Sequence, residues 1–168
     1  MSESVTIKFQ YSAEEYARGI RLHYESRDFT PGVVAVIGCI EGGLWLWAGR
    51  KFDKEGLLWM AVMTLTVALM LYKLFVVPRL VFRSNPKLAA AYEFTFSPDE
   101  VHVRTQDIDS RLQWSFYTGA VVGEGFFLLY SGKQAFTAIP KRAFPDPDTL
   151  QAFDNLLARF VSNITRLA

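Results

Sequence analysis

The stretch that decides the reading is LLWMAVMTLTVALMLYKLFVV, residues 57–77, in which Thr64, Thr66 and Lys73 alone fall outside the apolar set. At about 1.5 Å per residue, a helix of this length covers a hydrocarbon core of roughly 30 Å. Upstream, Val33–Gly49 is a second apolar run, separated from the first by Arg50–Gly56. So short a link makes the two runs antiparallel neighbours. The expectation is a transmembrane hairpin, spans 33–49 and 57–77 within a segment 33–78, with the lipid bilayer as its first partner.

Composition fits that reading. Hydrophobic residues make up 51% of the chain, at the upper edge of the roughly 45–50% of soluble domains. Lys and Arg number 18 against 17 Asp and Glu, without a long like-charge run, which leaves no electrostatic footprint for nucleic acid. The single cysteine, Cys39, excludes an intramolecular disulfide and is expected to be a buried thiol. Basic residues flank the apolar segment outside (Arg18, Arg21, Arg27, Arg79, Arg83, Lys87) and in the loop (Arg50, Lys51, Lys54). Six against three predicts a multi-pass protein of the cell inner membrane with both termini cytoplasmic.

Three groups of residues inside the apolar segment invite a functional reading. Glu41 sits in the first run, where an acidic side chain costs about 2.5–3.5 kcal/mol. Folding the hairpin about residue 53 sets it beside Thr64 and Thr66, so a neutral Glu41 hydrogen-bonded to either threonine is expected. An ion pathway and a contact with another membrane helix are the alternatives. Ala35, Gly38 and Gly42 share one helix face, a packing surface for a close helix neighbour or for self-association. Trp45, Trp47 and Trp59 suit an interfacial belt.

Outside that segment the period changes. Val5-Thr6-Ile7-Lys8-Phe9 alternates as a half-buried strand, expected to join the sheet of the C-terminal domain. Ser12-Ala13-Glu14-Glu15 reads as a capping box opening an amphipathic helix. That helix lies either on the C-terminal domain or in the headgroup layer, and with the strand makes a region 1–32. Within 79–168, alternating runs at Tyr92–Phe96, Val101–Thr105 and Leu112–Phe116, with Val121-Val122, Phe126–Tyr130 and Ala135–Ile139, predict five or six strands. Asp146-Pro147 then opens a helix, residues 147–167, on the apolar stripe Leu150, Phe153, Leu157, Phe160, Ile164 and Leu167. The fold class predicted is α+β: a two-helix membrane hairpin carrying a small antiparallel barrel closed by a C-terminal helix.

This order of parts resembles the YcxB-like family of small bacterial membrane proteins. Asn85-Pro86, Trp114-Ser115, Phe127-Leu128-Leu129-Tyr130 and Ile139-Pro140-Lys141-Arg142-Ala143-Phe144 carry the resemblance. It implies a strand–helix lead, a two-span hairpin and a pleckstrin-homology-like domain, and it brings no defined activity. No cofactor is expected, because His23 and His102 lack metal-ligand spacing and no phosphate loop or nucleophile–base pair is present. Lys141 and Arg142 form a compact basic pair, either a contact for anionic lipid or a partner, or ion-pair mates of Asp146 and Asp148. The functional expectation is a membrane-anchored interaction module with an unidentified protein partner. Its rivals are an intramembrane subunit acting through Glu41 and the Gly38/Gly42 face, and a toxin-neutralising membrane protein.

Overall fold

The computed structural model describes residues 4–26, 31–48, 54–132 and 135–167. Loop residues 49–53 and Arg27, on which the orientation reading leaned, lie outside them, as does the side chain of Trp47. Strand β1 (Val5–Gln10) leads into helix α1 (Ala13–Glu25), then α2 (Pro31–Ala48) and α3 (Lys54–Leu71). A π-helical turn, Tyr72–Val76, joins α3 to α4 (Val77–Ser84). Pro78 explains it: proline offers no N–H to the carbonyl four residues back and its ring clashes there, so the helix widens one turn earlier. Accordingly, the Val77 N–H donates to Tyr72, five residues back.

One helix among the described residues, Gly56–Ser84, is long and apolar enough to cross a membrane. Only 11% of its most apolar window is buried in the protein, and Leu58, Trp59, Leu65 and Leu69 are all more than half exposed. A core helix of a soluble domain would be covered; this one leaves its apolar side chains uncovered by the rest of the described chain. The expected two-span hairpin is therefore corrected to a single spanning helix, called the anchor below. In α2, among the described residues, the shorter apolar helix Ala35–Trp45 does not qualify as a span. The multi-pass topology with both termini cytoplasmic falls with the second span. Cys39 is exposed on α2 rather than buried.

The β-domain holds two four-stranded sheets. In the first, β1 pairs with β2 (Ala91–Phe96), β2 with β3 (Val101–Arg104), and β3 with β4 (Asp109–Leu112), all antiparallel. In the second the order is β7 (Phe136–Pro140), β6 (Phe126–Tyr130), β5 (Gly119–Val122), β8 (Ile164–Arg166). One core lies between them: Ile7, Phe94 and Phe96 from the first sheet, Phe127, Leu129 and Ile139 from the second. Helix α5 (Pro147–Phe160) adds Phe153, Leu156 and Leu157. The Phe153 ring lies 4.5 Å from that of Phe96 and 5.0 Å from that of Phe127.

The sheets do not close into the expected barrel. Beyond Gln10 the chain turns into the cap of α1, so β1 cannot reach β7, and side chains bridge the gap instead. The Tyr11 hydroxyl donates to the Ala138 carbonyl of β7, and the Arg142 guanidinium donates to the Gln10 carbonyl at 2.9 Å. The C-terminal helix is also shorter than its stripe predicts. It stops at Phe160, and Val161 is extended. The chain then feeds β8 alongside β5 in parallel register, the Ala120 N–H donating to the Asn163 carbonyl at 2.8 Å. A Cβ on Gly119 would stand 3.1 Å from that carbonyl oxygen, so the close approach favours glycine.

Candidate functional site

Helix α1 starts as its sequence dictates. The Ser12 hydroxyl accepts from the Glu15 N–H at 3.2 Å and the Glu15 carboxylate accepts from the Ser12 N–H at 3.1 Å, the reciprocal capping box. Glu15 has a second partner that local sequence does not announce. Arg142 donates to both its carboxylate oxygens, Nη2 to Oε2 at 2.7 Å and Nε to Oε1. These bonds lower the Glu15 pKa to about 2, against the opposing effect of burial, and the Ser12 N–H adds to them. Forked, charge-assisted pairs of this kind fix orientation as well as adding energy. Arg142 thus clamps α1 to the end of β7, with Glu15 as its mate rather than Asp146 or Asp148.

Lys141 is also engaged within the chain. Its N–H donates to the Gly125 carbonyl at 3.0 Å and its Nζ stands 5.2 Å from the centroid of the Phe127 ring.

The two faces of α1 are both occupied. One lies on the second sheet: a Cβ on Gly19 would meet the Ala138 Cβ at 3.0 Å, and one on Gly123 would meet the Leu22 side chain. His23, buried, has its Nδ1 2.8 Å from the Tyr130 hydroxyl and stacks on Phe136 at 4.7 Å. The other face meets the anchor: Tyr16 lies 5.7 Å from Phe82, and the Arg21 guanidinium 5.4 Å from the Phe75 ring. Of the two placements open to this helix, the structure has it on the domain, wedged against the anchor.

Between α2 and α3 the predicted residues do not converge. Glu41 is 9% exposed, and its Oε1 has no hydrogen-bond partner among the described residues. It lines an apolar cavity of about 450 Å³ with Ile40, Trp59, Met60 and Met63. Thr64 donates to the Met60 carbonyl at 3.0 Å and accepts from Trp45 Nε1 at 3.1 Å; Thr66 donates to the Val62 carbonyl at 2.9 Å. Both hydroxyls use their donor on their own helix, and Glu41 shares its cavity with residues a turn before Thr64. Ala35 is exposed, and a Cβ on Gly38 or Gly42 would meet nothing within 4 Å. No described helix covers that face.

Among the described residues no group of three or more His, Cys, Asp or Glu is placed to hold a metal ion, and no nucleophile–base constellation forms. These features define a membrane-associated β-domain protein without a catalytic cluster among its described residues. Residues 96–157 match the family model described as YcxB-like protein. The match runs from the end of β2 into α5, so the chain is similar to that family over the β-domain, while α1 and the apolar helices lie outside it. Neither a curated protein nor a solved structure matches the chain.

Proposed function

We propose that the protein is a membrane-anchored interaction module whose β-domain receives an extended segment of a protein partner along β4. The observation that carries this reading is the free edge of the first sheet. β4 pairs with β3 on one side only. Outside α2–α4, the exposed large apolar side chains among the described residues are Ile108 and Phe116, each 49% exposed, and they flank β4 at its two ends. An unpaired strand edge with an apolar anchor at either end suits strand addition, where main-chain bonds supply affinity and side-chain pockets supply specificity. Helix α1 supports the reading by holding the domain against the anchor, which fixes the height of β4 above the membrane.

A photo-crosslinking residue at position 108 of the full-length protein, in native membranes, tests this directly. An adduct at 108 that disappears in Arg111→Pro, whose N–H faces away from β3, and survives replacement of residues 57–71 by an unrelated apolar helix is the expected result. Adducts from position 42 instead, lost on that replacement, would favour the second reading, an intramembrane subunit. The open Gly38/Gly42 face and the unpartnered Glu41 support that second reading.

A further inference from the structure

Where α1 runs beside the anchor, a cleft of about 560 Å³ opens between α1 and the β5–β6 turn. Four charged side chains line it, Arg18, Arg21 and Glu25 from α1 and Glu124 from the turn, over a floor that includes Phe126 and Leu167. The Arg18 guanidinium lies 5.9 Å from the Phe126 ring centroid, and that of Arg21 lies over Phe75 of the anchor. None of the four is ion-paired with another described residue, whereas Glu15, Asp109 and Asp154 all have arginine mates. A guanidinium held over a ring keeps its N–H donors for an anion.

The depth of the cleft follows from the packing of α1. With Tyr16 beside Phe82 and Arg21 over Phe75, α1 runs antiparallel to the anchor, its C-terminal half toward the apolar end. A helix entering a hydrocarbon core of roughly 30 Å at Gly56 leaves it after about 20 residues, which is at Phe75. Arg21 therefore stands at headgroup depth, with Arg18 about one turn outside it and Glu25 about one turn inside.

We propose that this cleft binds the headgroup of a zwitterionic phospholipid carrying a primary ammonium group. Arg18 and Arg21 take the phosphate diester, and Glu25 and Glu124 take the ammonium. Two cations and two anions in one cleft match a ligand that carries both signs. A purely anionic headgroup would meet the two carboxylates, and a quaternary ammonium has no N–H for them to accept. The assignment rests on the membrane placement of the anchor and is independent of any partner at β4.

The test reconstitutes full-length protein in vesicles of equal parts phosphatidylethanolamine, phosphatidylcholine and phosphatidylglycerol. The lipid retained after gentle extraction is then read by native mass spectrometry. Ethanolamine lipid should be enriched about tenfold over the other two, the factor expected for one charge-assisted hydrogen bond. Arg18→Gln with Arg21→Gln should abolish retention, while Glu25→Gln with Glu124→Gln should keep retention but lose the preference over choline lipid. Both double variants must keep the wild-type circular dichroism melting curve, since none of the four side chains enters the core. Equal retention of choline lipid by the unaltered protein, preference for the glycerol lipid, or retention indifferent to the arginines would each overturn the proposal. Binding of free glycerophosphoethanolamine as tight as that of the lipid would overturn the bilayer as its source.

Discussion

The two sheets have four strands each and bury their residues in opposite ways. In the first sheet, β1 alternates buried and exposed along its whole length, and its outer face carries cross-strand pairs such as Thr6 with Thr95 and Lys8 with Glu93. In the second, all five residues of β6 are buried. Phe127 and Leu129 point to the common core; Phe126, Leu128 and Tyr130 point to Leu22 of α1 and its neighbours. Period-two alternation records a face left to water, and an unbroken apolar run records a strand covered on both sides. What covers the second sheet is α1, which also touches the anchor. The second sheet seats the domain against α1 and the anchor, and the first carries the β4 edge on the side away from β1.

The largest effect should come from removing what the sheets share. Phe153 is fully buried between them, and Phe153→Ala should cost about 3–5 kcal/mol, with both sheets losing amide protection together in a denaturant series. A smaller effect that separates the sheets comes from the clamp: Glu15→Gln should cost about 2 kcal/mol, the scale of hydrogen bonds to a charged group. Its pH dependence has a definite sign. The folded pKa of about 2 lies below the ordinary carboxylate value of 4.5, so the unfolded chain binds the proton more readily. The contribution is whole above pH 4.5 and is lost as the pH falls toward 2, and the difference between wild type and Glu15→Gln should shrink over that window. The smallest effect should be at Glu41, in neither sheet. With Oε1 unpartnered, Glu41→Leu leaves no orphaned group and relieves one. Thermal unfolding in detergent should show a midpoint equal to or above that of the wild type, and a clear fall would reveal a partner for the carboxyl.

Local signals were legible where local physics decides. The alternation of Val5–Phe9, the capping box at Ser12 and Glu15, and the Asp146-Pro147 start of α5 all stand in the sequence as they stand in the structure. That Val5–Phe9 joins a sheet of the C-terminal region was legible too, because a lone short strand needs a sheet, although its neighbour β2 was not named. What was not legible depends on distant residues. Glu15 and Arg142 are 127 positions apart, and nothing near either names the other. The stripe through Ile164 and Leu167 has helical spacing, yet the parallel place beside β5 takes those residues into β8 and its sequel. The apolar run at 33–49 suggested a second span, whereas among the described residues only Gly56–Ser84 qualifies as one. The expected bond from Glu41 to Thr64 or Thr66 ignored that a threonine in a helix can donate to the carbonyl four residues back, as both do here.

Helix α1 covers the second sheet and not the first. Gly19 is the position that tests this most directly, since even a Cβ there would press on the Ala138 Cβ at 3.0 Å. Gly19→Leu adds three further carbons with no room on the sheet, while remaining a good residue for the helix itself. Amide hydrogen exchange on the full-length variant should show faster exchange in β6 and β7, with β2 and β3 unchanged. Unchanged protection in β6 and β7, or an equal loss in both sheets, would contradict the account.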